Sequence, residues 1–350
     1  MSCNVYANAF GTHEIHCGDI AELKDKVPKH DLLTGGFPCQ PFSSAGKKQG
    51  IRDSRGTLFQ EIVDIVNAHK PKWFILENVK RLLTMEKGDH FATILRSLSK
   101  MDYFIEWRLL NAQFFGLPQN RQRVIIVGTR QESELDAKTC LTTPSDLESV
   151  LSHNYCDLID SANWAQISKH KNSFPNWGLC YGDRFYASNL DRFSTSKVLK
   201  KLESVLEKSP SEEFFMDEST LERISKSVYV NRMVDGVRIL YNQGGGARMG
   251  YTVFGTDGVA PALTASHSRH YERYKVGDRY RRLTNTEYAR LQGFPDKHCD
   301  SESIFNQYGL FGNAVPPPMV EWVIRQVTEG NSVALDSLPI PKNFQLKLCL

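Results

Sequence analysis

"HDLLTGGFPCQPFSSAGKKQGIRDSRG", residues 30–56, starts as an apolar run that reads as a buried strand and turns, at its glycines, into a loop rich in Gly, Ser, Lys and Arg. The alternation continues outward from it. Leu58, Ile62, Ile65 and Val66 recur at helical spacing, and "KWFILENV" (72–79) reads as a second buried strand. Phe91, Ile94, Leu95 and Leu98 mark another helix, followed by the apolar strands "WRLLNAQF" (107–114) and "RVIIVGTR" (123–130). Strands alternating with helical segments predict an α/β fold, a mostly parallel sheet covered by helices.

From about residue 140 to 275 the pattern breaks up: Asn, Ser, Asp and Tyr are scattered, and "NQGGGARMG" (242–250) reads as loop. One amphipathic helix is expected over 195–207, "TSKVLKKLESVLE". Order returns in "RRLTNTEYARLQGFPD" (281–296), where Thr284 and Glu287 have the spacing of a capping box. "VPPPMVEWVIRQVTEG" (315–330) predicts a final helix begun by prolines and stopped by Gly330.

The 350 residues suffice for one large domain or two ordinary ones, and 41% apolar with 24% charged content is that of a soluble globular protein. The net charge of +3 is small against 43 basic side chains, so any nucleic-acid interface must come from local clusters. Eight cysteines include no C-x-x-C pair and no metal-ligand spacing with the ten histidines, which predicts reduced thiols and no metal. No apolar run approaches the ~18 residues of a membrane span. A cytoplasmic protein without a membrane partner is expected.

Cys39 sits where a strand gives way to a loop, the usual place for an active site in an α/β sheet. A reactive thiolate and a small buried hydrophobe both fit that position; Lys47, Lys48, Arg52 and Arg55 favour the thiolate and attract phosphate. Glu77 ends the second strand, where desolvation suits a carboxyl to share a proton, although a cap or salt bridge fits equally. Arg121 and Arg123 alternate as the chain enters the last strand, as pocket groups or as edge charges.

"GGFPCQPFS", "ENV", "QNRQR", "RRLTNTEYARLQGFP" and "FGNAVPPPM", in this order, resemble the cytosine-5 DNA methyltransferases of bacterial restriction-modification systems. The resemblance implies a Rossmann-like class I S-adenosylmethionine-dependent methyltransferase sheet with a smaller target-recognition domain. It implies a catalytic domain over 1–140, target recognition over 141–275, a hinge and return to the catalytic domain over 276–335, and a tail over 336–350. Cys39 would be the thiolate that adds to cytosine C6, and Glu77 would hold N3 and the exocyclic amine. Arg123 would bond O2, with Arg121 shaping the pocket. Double-stranded DNA is the implied partner, with the target base flipped out and a cognate restriction endonuclease in the same system, all at the nucleoid. Ser43, Lys47, Lys48 and Arg55 would contact DNA from a mobile loop. Gln243 and Arg248 would reach base edges, and the basic, aromatic stretch 268–283 would follow the backbone.

The family's opening strand with Phe-x-Gly-x-Gly, and the next strand with its acidic residue, are not found here. The N-terminal strands of the sheet are therefore expected to be missing. "VYANAFGTHEIHCGDIAEL" (5–23) resembles the segment that follows them, with Asp19 at the position that contacts adenine. Asp19, Pro38, Leu58 and Asn313 remain as implied contacts for S-adenosylmethionine, the cosubstrate. A mis-called start, a truncation, or half of a split enzyme completed by an upstream polypeptide each fit. So do three functions: a DNA cytosine-5 methyltransferase, a transfer-RNA cytosine-5 methyltransferase, and a non-catalytic DNA-binding remnant.

Overall fold

The computed structural model describes residues 1–11, 15–38, 58–130, 138–190, 198–242, 252–265, 272–329 and 333–334. The chain forms two compact units, neither continuous in sequence. One, the sheet unit, comprises Gly18–Leu110, Arg123–Phe193 and Trp322–Leu350; the second comprises Met1–Cys17, Asn111–Gln122 and Ser194–Glu321.

The sheet unit is built on seven strands in the order Leu32–Gly36 (β1), Trp73–Val79 (β2), Gln122–Arg130, Tyr103–Asn111 (β3), Trp177–Tyr181, Arg184–Ser188 and Ala165–Gln166. β1 and β2 run parallel, as the helical crossover Leu58–His69 between them allows. β2 pairs antiparallel with Gln122–Arg130, and β3 antiparallel with Trp177–Tyr181. The sheet is thus mixed, not mostly parallel. The ten residues between β3 and the Gln122–Arg130 strand hold only a 3-10 turn and a two-residue strand, too little for a helical crossover.

β1 is the end strand of this sheet among the described residues, and Leu32 and Leu33 are only half-buried. Leu33 packs against the core, which runs from Phe37, Phe59 and Phe74 to Phe91, Trp107 and Phe174. Phe91, Trp107 and Phe174 are buried and meet edge to face, with ring centroids 5.1–5.8 Å apart. Gly178 faces the Trp107 ring so closely that a Cβ there would lie 2.2 Å from it.

Residues 138–188 belong with this unit although the sequence pattern breaks near 140. Two buried charged groups on β3 hold them. The Glu106 carboxylate accepts from Cys140 N (2.6 Å), Leu141 N (2.9 Å) and Trp177 Nε1 (2.9 Å). Arg108 forks onto Asp146 at 2.7 and 2.9 Å and donates to Leu141 O, fixing the helix Pro144–Ile159 to the sheet.

The second unit carries a five-stranded sheet: Val228–Val234, Val237–Asn242, Thr252–Phe254, Arg273–Val276 and Arg279–Arg281 in spatial order. Its helix Asn285–Gln292 starts in the expected capping box and ends at Gly293, with φ +83°. Glu287 of that box also receives the buried Arg281 guanidinium at 2.6 and 2.8 Å. The helix expected over 195–207 is absent from 198 onward. Leu202 N and Glu203 N donate instead to Gly258 O and Thr256 O, and only a 3-10 turn forms over Leu202–Val205. The closing helix is found at Pro317–Thr328; Gly330 and the tail 336–350 lie outside the described residues. Among the described residues no helix is long and apolar enough to cross a membrane, and no group of His, Cys, Asp and Glu could hold a metal ion.

Candidate active site

The parallel register pairs Gly36 with Glu77, so the last residue of β1 lies beside the carboxylate of β2. Buried Phe37 and exposed Pro38 follow, the last described residues before position 58. Cys39 lies three residues past Gly36, outside the described residues, as do Ser43, Lys47, Lys48 and Arg55. Glu77 leans over Gly36: a Cβ built there would stand 3.4 Å from Glu77 Oε2, a tight fit for any larger residue.

Pairing across the sheet supplies the partner of Glu77. Ile125 lies opposite Glu77 and Arg123 opposite Val79, which puts Glu77 and Arg123 on one face as diagonal neighbours. Arg123 Nε donates to Glu77 Oε1 at 2.7 Å, with the two side chains 13% and 20% exposed, so the pair is sheltered yet reachable. Burial draws the Arg123 guanidinium below its ordinary value, and Glu77 pulls it back up. A carboxylate and a guanidinium side by side can grip a planar heterocycle, accepting its N–H groups and donating to its carbonyl.

Asn78, the next residue, carries no role from the sequence reading. It is 2% exposed, and its Nδ2 donates to Phe37 O at 2.8 Å while its Oδ1 accepts from Val79 N at 2.8 Å. It ties the chain leaving β1 to the end of β2. An amide on the inward side of an otherwise apolar strand was the available signal.

Arg121 is placed differently from Arg123. It belongs to the second unit, is 1% exposed, and donates to Leu263 O (3.1 Å), Gly312 O (2.9 Å) and Ala314 O (2.7 Å). Its guanidinium supports the backbone around "FGNAV". Gly312 of that motif leaves no room for a Cβ, which would fall 2.2 Å from Thr264 O. Asn313 ends the helix Ile304–Asn313 and is exposed. In the sheet unit, Asp19 is exposed and caps a short helix, accepting from Ala21 N at 3.0 Å; Leu58 is 46% exposed. Gln243 and Arg248 lie outside the described residues. The basic stretch 268–283 is less available than its composition implies, since Arg273 and Arg281 are buried and Arg279 is paired with Glu212.

The family model for C-5 cytosine-specific DNA methylase matches residues 1–329. The chain belongs to that family. Among curated members, it is 33% identical over 324 residues to Type II methyltransferase M1.ScrFI of Lactococcus lactis subsp. cremoris, covering 89% of this chain and 66% of the relative. It is 31% identical over 390 residues to Type II methyltransferase M.HgiCI of Herpetosiphon aurantiacus, covering 93% and 89%. Among solved structures, the S. pombe Dnmt2 methyltransferase superposes with a TM-score of 0.56 at 16% identity, over 93% of this chain and 87% of that one. This last likeness bears on fold alone: the chain has the α/β fold of the cytosine-5 DNA methylases.

Proposed function

We propose that the protein transfers a methyl group from S-adenosylmethionine to C5 of a cytosine flipped out of duplex DNA, as the modification enzyme of a restriction-modification system. The observation that carries this reading is the Glu77–Arg123 pair, held beside the end of β1 as the chain turns toward Cys39.

Cytosine C5 is a weak nucleophile, and the residues remedy this. The Cys39 thiolate adds to C6; the electron pair of the C5–C6 bond moves toward N3 and O2, where Glu77 holds N3 and the amine and Arg123 donates to O2. C5 would then take the methyl group that S-adenosylmethionine supplies as an electrophile, the S–CH3 bond breaking and S-adenosylhomocysteine leaving. Loss of the C5 proton to a base returns the electrons, and the thiolate departs from C6. Arg121 acts by holding backbone, through Leu263 O, Gly312 O and Ala314 O. Lys47, Lys48, Arg55 and Ser43 contact phosphate, and Gln243 and Arg248 read bases.

The sheet unit offers groups suited to the cosubstrate: an exposed carboxylate at Asp19 to accept from an amine, and exposed apolar surface at Pro38 and Leu58. The open edge of β1 is a place for a further strand, and an upstream polypeptide carrying Phe-x-Gly-x-Gly is the partner that fits it. Such an enzyme works in the cytoplasm on the nucleoid. The DNA reading is preferred to the transfer-RNA one because the family model and the curated relatives are those of DNA modification.

The test is covalent trapping. A duplex with 5-fluorocytosine at the target cannot release its C5 substituent, so the protein with cosubstrate, and with the upstream polypeptide where needed, forms an adduct that survives denaturation. Cys39→Ser must abolish it. An adduct that persists in Cys39→Ser, or that forms only on transfer RNA, overturns the assignment.

A further inference from the structure

A cavity of about 660 Å³ opens at the end of the sheet unit opposite to Glu77. His30 and Asp31 precede β1, Lys72 and Trp73 begin β2, and Arg130 closes the antiparallel strand. Glu77 is four residues further along β2, about 13 Å at strand rise. The cavity is therefore separate from the site described above.

Its wall is cationic. Lys29, Lys70, Lys72, Arg130 and Lys138 line it, against Asp31 as the one lining carboxylate among the described residues. The more buried basic groups of this unit are matched: Lys24 by Glu61 and Asp64, Arg108 by Asp146, Arg123 by Glu77. Among the described residues, no carboxylate lies within ion-pair distance of any of the five cations here. Five basic side chains around one concavity favour an anion there.

The rim is also fixed in place. Lys70 adopts φ +46° and its N–H bonds to Val66 O at 2.8 Å, at the end of the helix. Arg130 donates from Nη1 to Lys70 O and from its backbone to Lys72 O, both at 2.9 Å. Within the wall, the rings of His30 and His69 are 5.1 Å apart. His30 Nδ1 is 2.7 Å from Pro28 O and takes the proton, while its Nε2 is buried without a protein partner.

We propose that this cavity is a second binding site, for a compact oligophosphate. Phosphoryl oxygens are what several lysines and an arginine recognise together. The volume is that of a small-ligand pocket and too confined for a duplex. Lys72 Nζ lies over the Trp73 ring, 4.3 Å from its centroid, so that face is occupied and no nucleobase stacks there. Recognition falls on the phosphates, and the same chemistry comes from free oligophosphate or from a nucleoside triphosphate.

Calorimetric titration of the full chain with tripolyphosphate, ATP, GTP and a short blunt duplex tests this. A nucleotide bound more than about tenfold more tightly than tripolyphosphate would place recognition on the nucleoside and overturn the proposal. Tripolyphosphate and both nucleotides are expected to saturate one site with Kd values within about threefold of one another. Lys72→Gln/Lys138→Gln should weaken all three by about tenfold or more, while Lys200→Gln/Lys208→Gln, which removes as much charge from exposed positions outside the cavity, leaves them unchanged. Lack of saturable binding, equal loss in the control variant, or preference for the duplex over tripolyphosphate overturns the proposal. Cys39→Ser must bind tripolyphosphate as the parent does, so a failure of the methyl-transfer reading leaves this result standing.

Discussion

Asn78 has both of its amide atoms committed, one to the carbonyl of Phe37 and one to the N–H of Val79. Asn78→Asp replaces the donor with an acceptor, leaving the Phe37 carbonyl facing a carboxylate in a buried place. A loss of about 1–3 kcal/mol is expected, read as a lower urea midpoint. Because the bond holds the backbone two residues before Cys39, adduct formation on the fluorinated duplex should also slow beyond what reduced folding explains. A variant with unchanged midpoint and unchanged trapping rate would show that Asn78 positions nothing. The sequence exposed the neighbouring residues readily, since a carboxylate or a guanidinium beside a buried strand announces itself. The partner of Asn78 was not legible because it is a main-chain carbonyl, and main-chain partners leave no mark in composition. The same holds for Arg121, named in the sequence but bonded to the backbone carbonyls of Leu263, Gly312 and Ala314.

At the scale of elements, apolar periodicity located β1, β2 and the helices Leu58–His69 and Asp89–Ser99, because each buries a continuous face. It placed β3 several residues late, since the strand starts at Tyr103 and "NAQF" ends it as a turn. It overstated the 198–207 helix, where pairing with Gly258 and Thr256 outweighs local propensity. Beside the helix Asn285–Gln292, burial raises the Glu272 carboxyl from its ordinary 4.5 to about 7, partly offset by the hydroxyl of Tyr288, which donates to it. Below about pH 4.5 both folded and unfolded chains carry this proton, and nothing is lost. As the pH rises toward 7 the unfolded chain ionises first, so stability falls, by an amount on the order of 3 kcal/mol once both states are ionised. Glu272→Gln removes that decline. Urea unfolding at about pH 4 and pH 8 should show the variant gaining on the parent only at the higher value. An equal difference at both would place the carboxyl's titration elsewhere.

At the scale of the molecule, β1 is an apolar strand that the sequence pattern read as buried, yet among the described residues it ends the sheet with its leucines half-buried. Hydrogen exchange should find the β1 amides at least about tenfold less protected than those of β2, which is paired on both sides. If the proposed upstream polypeptide adds a strand at β1, its addition should slow β1 exchange selectively; equal protection in the two strands without it would remove the reason to expect that partner. The two units are each gathered from three pieces of chain, so no single crossover exchanges one unit between relatives. A recombinant joined only at residue 194 would keep 111–122 from one parent and receive 194–321 from the other. Arg121 makes such a chimera more tolerable than it looks. The three oxygens it binds belong to the main chain, and every incoming sequence carries a carbonyl at those positions whatever its side chains. The joint between parental sequences is in this sense universal, and these bonds survive a recombinant made across it whatever side chains arrive.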